Sequence, residues 1–346
     1  MYSIATYLTK HKVKKGDRIG VLGESSPQWG VAYLSVVSAG AIAVPILPDF
    51  SPKEVETIIN HSGVNGLFLS SKSIDKVDPT LFDENIKLFR VDDLFHIPKV
   101  ESDSLSKKDV FLDLPGRDMS RAKVNEKLLK EVEHKEDELV SIIYTSGTTG
   151  SSKGVMLTNK NLTSNASALV KQFVKIKTGY RFLSILPMSH SYEFTIGFLL
   201  PLTIGCEVHY LGKPPAASIL LPALKKVSPH LILSVPLLIE KIYKGSVVPQ
   251  IENNKNLKRW YKHTLLRKEI NKIIGRKLKI TFGGRLKFFG VGGAALDSQV
   301  DKFLKEARFP YAIGYGLTET SPLLAGSGPK QTKLKTVGEF VKGVEL

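Results

Sequence analysis

The chain has 346 residues, of which 42% are hydrophobic and 24% charged, a balance that excludes a disordered or fibrous chain and is too long for one small core. Its single cysteine, Cys206, excludes an internal disulfide framework and fits a reducing compartment. The formal net charge of +16 asks for an anionic partner or a solvated basic face, but there is no zinc-finger spacing and no RNA-binding aromatic motif, so no nucleic-acid partner is expected.

In chain order, MYSIATYLTKHKVKKGDRIG lacks the apolar core and small-residue cleavage site of a secretory signal, and a cytoplasmic location is expected. RIGVLG is the first strand. The uncharged stretch from Ser25 to Pro48 is long enough to cross a bilayer, but Gln28 and the interspersed glycines and prolines divide it into a helix, QWGVAYLSVVSAG, and a buried strand, AIAVPI. SPKEVETIINH reads as a helix capped by Ser51 with Pro52 at its first position, and GLFLSS as the next strand. From Glu101 to Glu138, 19 of 38 residues are charged, which reads as a surface excursion ending in a helix at EKLLKEVEH.

LVSIIYT resumes the strands, a helix capped by Thr158 follows in TNKNLTSNASALVKQF, and RFLSILP, CEVHYL and HLILSV are further strands. FTIGFLLPLTIG, from Phe194, is too short for a membrane span and carries Pro201. Twelve Lys or Arg then fall between Lys255 and Lys287 against one acid, Glu269. That run is a solvated helix face, a site for a phosphorylated cofactor, or a contact for an anionic membrane with Trp260 and Tyr261 at headgroup level. LKFFGV, a helix DSQVDKFLKEA capped by Asp297, and PYAIGYG close the series.

Strands so continuously apolar, joined by helices, predict a large layered α/β fold with mainly parallel sheets flanked by helices. The charged excursion 101–138 separates a front lobe, 1–138, from a core, 139–346.

Three glycine and hydroxyl clusters stand at strand ends. YTSGTTGSSKG, residues 144–154, suits a slack linker or a phosphate cradle, in which glycine admits close backbone approach, N–H and hydroxyl groups donate, and Lys153 adds a point charge. Gly147 and Gly150 do not stand at Walker A spacing before Lys153. FFGVGGAALD, residues 288–297, has Gly290, Gly292 and Ala295 in step with a dinucleotide fingerprint, but no acidic residue ends a following strand. IGYGLTETSP, residues 313–322, offers an aromatic ring for stacking on a base and a carboxylate between threonines for Mg²⁺. Together they imply one ligand at the carboxyl edge of a sheet.

YTSGTTGSSKG, LPMSHSYEF, FFGVGGAALD and GYGLTETSP stand in the order and approximate spacing of the adenylate-forming superfamily of acyl-CoA synthetases, luciferases and peptide-synthetase adenylation domains. The chain resembles the AMP-binding N-terminal domain of that family, and LPMSHSYEF and GYGLTETSP look most like long-chain fatty acid–CoA ligases. GDRIGVLGESSPQW, AGAIAVPILP and TVGEFVKGVEL extend the resemblance to nearly the whole chain.

The resemblance implies that Thr145, Ser146, Gly147, Thr148, Thr149 and Gly150, with Lys153, form the loop that holds the β- and γ-phosphates of ATP. Gly292, Gly293 and Ala294 would line the adenine site with Tyr315 and Gly316 beside the ring, Thr318 would touch the α-phosphate, and Thr148 with Glu319 would hold Mg²⁺. His190 would sit beside the carboxylate substrate; without the motif it would read as a core histidine. FTIGFLLPLTIGC would wall the acyl chain. The catalytic set is thus His190, Thr318, Glu319 and Lys153, and the partners are a fatty acid, ATP and CoA.

Ser152 stands where the family usually has proline. The family also continues past VKGVEL into a strand with a ribose-binding aspartate, a hinge and a small C-terminal domain with a catalytic lysine, and it usually has more residues before SIATYL. The expectation is therefore a core of low activity alone. An acyl-carrier-protein ligase and a non-catalytic nucleotide- or acyl-binding remnant are the alternatives.

Overall fold

The computed structural model of the protein describes residues 1–82, 86–98, 108–145 and 152–345. They form two compact units, residues 1–162 with 187–191, and residues 163–186 with 192–346.

The first unit is built on one sheet. Its strands are β1 (Arg18–Leu22), β2 (Ile42–Ile46), β3 (Gly66–Leu69), β4 (Lys87–Arg90), β5 (Phe95–Ile97), β6 (Arg117–Asp118), β7 (Leu139–Thr145) and β8 (Lys153–Thr158), in the order β6-β5-β4-β3-β1-β2-β7-β8. The central pairs are parallel, and the outer ones, β4–β5, β5–β6 and β7–β8, are antiparallel. Every residue of β2 and β3 is buried, as their unbroken apolar sequences require of strands covered on both faces. Ser51 caps the helix Pro52–Ser62 in a reciprocal box with Glu54.

Two sequence expectations change here. The sheet runs through the division expected at 138 and 139, because β7 pairs with β2 and then with β8. At EKLLKEVEH only Glu126–Lys130 is helical, since no residue of that turn is buried to hold a longer helix.

The second unit carries an all-parallel sheet of β9 (Arg181–Ser184), β10 (Glu207–Tyr210), β11 (Leu231–Ser234), β12 (Phe288–Val291) and β13 (Tyr311–Ile313), ordered β10-β9-β11-β12-β13. A small antiparallel sheet follows, β14 (Tyr315–Gly316), β15 (Leu323–Gly326) and β16 (Glu339–Phe340). Asp297 caps the helix Ser298–Glu306 through Gln299 N and Val300 N, as expected. The basic helix Thr264–Thr281 buries Ile270, Ile274 and Leu278 on one face. The apolar run after Tyr192 is helical, with a π-helical stretch, Glu193–Leu199, leading into Leu200–Ile204. Among the described residues no helix is long and apolar enough to cross a membrane.

Candidate functional site

In the first unit, β7 delivers Thr145 to the sheet edge, and Thr145 pairs across the hairpin with Lys153 at the start of β8. Lys153 is exposed and belongs to a strand, where the sequence placed it in the loop. The strand forms because Val155, Met156 and Leu157 pair in register with Ile143, Ile142 and Ser141. Tyr144 anchors the end of β7, its hydroxyl 2.7 Å from Nδ1 of His61. Ser146, Gly147, Thr148, Thr149 and Gly150 lie outside the described residues.

The segment carrying His190 is fixed to the same unit. Met188 N donates to Ser25 Oγ (2.9 Å) and His190 N to Pro187 O (3.0 Å). The His190 ring keeps accessible surface, yet protein atoms crowd it. That desolvation holds its pKa below the ordinary histidine value, against a smaller upward pull from Asp49. A neutral imidazole can donate one N–H to a carboxylate without carrying charge.

In the second unit, two candidate clusters leave adjacent strand ends. Gly292, Gly293 and Ala294 follow β12, and Gly314 N, after β13, donates to Val291 O (2.9 Å). The carboxyl edge of a parallel sheet is where such folds place ligands. Gly293 has φ +87°, which an L side chain rarely adopts, and both Gly293 and Ala294 are exposed. Behind them the Tyr192 ring lies against Gly290 and Gly292, where added Cβ atoms would come within 2.8 and 3.3 Å of it.

Tyr315 is half exposed, Glu319 is exposed, and Thr318 is partly buried. Gly316 cannot be replaced without moving backbone, because a Cβ there would stand 1.7 Å from Pro322 O. Thr320 Oγ1 accepts from Leu317 N (2.9 Å) and donates to Pro322 O (2.6 Å), closing the turn on itself. The exposed Glu319 carboxylate makes no ion pair among the described residues, and its hard oxygens suit Mg²⁺.

Three residues here were not singled out in the sequence. Asn165, buried on the helix Asn159–Gln172, donates Nδ2 to Thr320 O (3.1 Å) and Leu323 O (2.8 Å) and accepts from Leu323 N (3.2 Å). It pins the C-terminal side of the turn that presents Thr318 and Glu319. Tyr192 backs the glycine edge. Glu193 is fully buried with Oε2 lacking a hydrogen-bond partner, and Ser184 Oγ and Thr195 Oγ1 are likewise unpartnered. Burial pushes its pKa up to about 8, and the Ser184 hydroxyl, near but outside hydrogen-bond geometry, draws it back only partly. Burial, and secondarily the Glu193 charge, also raise the pKa of Tyr192 and Tyr210. A lone acid inside the apolar run SYEFTIGFLLPL was the available sequence signal.

Of the proposed acyl wall, Ile196 joins Tyr192, Leu233, Gly290 and Leu323 around an apolar cavity of about 20 Å³. That volume holds roughly one water, so an acyl chain needs side-chain movement to enter.

A family model described as AMP-binding enzyme matches residues 2–346. A human long-chain-fatty-acid–CoA ligase, ACSBG2, is 24% identical over 98% of this chain and 53% of its own length. A probable acyl-activating enzyme 16, chloroplastic, from Arabidopsis thaliana is 27% identical over 96% of this chain and 53% of its own length. The chain thus spans about half the length of these relatives. In fold it matches the crystal structure of the N-terminal domain of FACL13 from Mycobacterium tuberculosis, with a TM-score of 0.70 and 20% identity over 99% of this chain and 73% of that one.

Proposed function

The chain belongs to the AMP-binding enzyme family, and on that premise we propose that it binds ATP and a fatty, long-chain carboxylate and forms an acyl-adenylate for transfer to CoA. The observation that carries this reading is the paired edge of the second unit, where an open glycine backbone after β12 stands beside the pinned turn bearing Tyr315, Thr318 and Glu319. The names of the relatives, several of them long-chain acyl-CoA ligases, support the substrate class.

In the proposed step a carboxylate oxygen attacks the α-phosphorus, the bond to the bridging oxygen breaks, and pyrophosphate leaves with that electron pair. The reactants repel, so the protein's task is to position them and offset charge. Backbone at Gly292, Gly293 and Ala294 would receive adenine and Tyr315 would stack on it. Thr318 would donate to the α-phosphate, Thr145 and Lys153 would border the leaving phosphates, and His190 would hold the carboxylate through a neutral N–H. Mg²⁺, held by Glu319 with Thr148, would screen the phosphate charges. The proposed location is cytoplasmic.

The test is fatty-acid-dependent exchange of labelled pyrophosphate into ATP, with Glu319→Gln expected to lower it by roughly 10²-fold. ATP binding without exchange would favour a non-catalytic nucleotide module, and transfer of the acyl group to a carrier protein but not to CoA would favour the carrier-protein ligase.

A further inference from the structure

The helix Thr264–Thr281 carries more apolar residues than the face it buries accounts for. Ile270, Ile274 and Leu278 pack inward, but Leu266, Ile273 and Ile280 recur two turns apart along the flank of that face, with 45%, 53% and 72% of their surface exposed. Leu265, 79% exposed, widens this stripe, and Trp260, 48% exposed, stands on the preceding helix, Lys255–Tyr261. Four aliphatics and a tryptophan in one short stretch exceed the scattered apolar residues normal on a surface.

The charges around the stripe decide what could cover it. Arg267 is taken by Glu306 (2.9 Å), Lys272 by Glu269 (2.5 Å) and Lys258 by Glu252 (2.5 Å). Arg259, Lys262, Lys268, Arg276 and Lys277 are exposed and make no ion pair among the described residues. Arg276 and Lys277 fall on either flank of Ile273 by helical position and one turn before Ile280, so these two isoleucines are edged by cations whose stems can lie along them, while Glu269, between Leu266 and Ile273, is offset by Lys272. A phosphate backbone would use the cations but not the aliphatic stripe. A protein partner of ordinary composition would use the stripe but leave the cations unmatched.

We propose that this face, Trp260 with Leu265, Leu266, Ile273 and Ile280 flanked by Arg276 and Lys277, lies in the headgroup layer of an anionic lipid bilayer. Apolar side chains enter the acyl boundary while the cations stay among lipid phosphates, the arrangement of an interfacial amphipathic helix. The site is separate from the nucleotide edge, and it would bring the protein to the surface where long-chain carboxylates partition. The surface assignment does not depend on that reading of the substrate.

The test is flotation of the purified chain with vesicles of phosphatidylcholine alone or with 30% phosphatidylglycerol, at about 50 and 500 mM salt. Binding is expected to the anionic vesicles only, and to fall at high salt. Arg276→Gln with Lys277→Gln should weaken it roughly thirtyfold, from about 1 kcal/mol per cation. Ile273→Ser with Ile280→Ser should weaken it at least tenfold at either salt concentration. Because all four positions are exposed, an unchanged melting temperature checks that the variants fold. Equal binding to both vesicle types, or full binding by both double variants, would overturn the proposal. So would a shift from dimer to monomer by light scattering on Ile280→Ser without loss of lipid binding, which would assign the stripe to a second copy of the chain. Binding to a DNA duplex, lost with the cations and indifferent to the isoleucines, would overturn it in favour of nucleic acid.

Discussion

Among the described residues of the second unit two side-chain carboxyls are buried, Asp301 and Glu193, and they are treated in opposite ways. Asp301 accepts from the Tyr311 hydroxyl and from Lys335 N (2.9 Å), so each oxygen has a donor. Glu193 has an Oε2 with no partner and the unpartnered Ser184 hydroxyl near it, and it follows directly on Tyr192, whose ring lies against Gly290 and Gly292. Buried polar groups are ordinarily satisfied, and Asp301, tying the helix Ser298–Glu306 to β13 and the segment before β16, follows the rule. Glu193 departs from it one residue from Tyr192, which backs the glycine edge. The contrast teaches that the fold has satisfied one buried carboxyl where it ties elements together and left another costly and proton-holding inside the helix that backs the glycine edge.

The largest effect should come from the Glu193 proton. A folded-state pKa near 8 against about 4.5 unfolded means that the native state keeps a proton that the unfolded chain gives up. Its contribution to stability is full below pH 4.5 and is lost as pH rises to about 8, by roughly 3–5 kcal/mol at about 1.4 kcal/mol per pH unit. Urea unfolding across that window should show the decline in the wild type and a flatter profile in Glu193→Gln; parallel profiles would mean that Glu193 has found a partner and the contrast with Asp301 is void.

Next, Asp301→Ala should cost about 2 kcal/mol by leaving Lys335 N without its acceptor and the Tyr311 hydroxyl with only the longer bond to Asp301 O, measured by the same titration at fixed pH. A loss below 1 kcal/mol would break the comparison from its other side.

Asn165→Ala should destabilise by about 2 kcal/mol, since three hydrogen bonds end on one side chain but the freed groups lie near a turn that water can reach. It should also weaken nucleotide binding by loosening Thr318 and Glu319; a change in stability with unaltered nucleotide affinity would confine Asn165 to the scaffold.

The smallest effect concerns His190. Its titration by NMR should fall below the ordinary histidine value, and Asp49→Asn should move it further down, because removing a nearby negative charge disfavours the imidazolium.

How much of this was legible follows from the physics of each residue. The central strands announced themselves because burial on both faces forces unbroken apolar sequence, as in AIAVPI and GLFLSS. The short outer strands β4, β5 and β6 did not, and β8 was hidden because its Met156 is exposed at an edge where no burial pattern is imposed. The motifs marked Gly292, Gly293, Tyr315, Thr318 and Glu319, since their chemistry is carried by residue type at a fixed spacing. Asn165 could not be found that way. Its partners lie more than 150 residues along the chain, and one asparagine in TNKNLTSNASALV looks like any other.

The short segment 187–191 belongs with the first unit, although the chain on both sides of it belongs to the second. Neither unit is therefore one continuous stretch of sequence. A single crossover between related genes cannot transfer either unit alone, and an exchange of one complete unit with none of the other needs several breakpoints. Inheritance through recombination should treat the two units as one cargo, so chimaeras joined at a lone junction near residue 162 ought to carry a histidine segment foreign to the unit it belongs with.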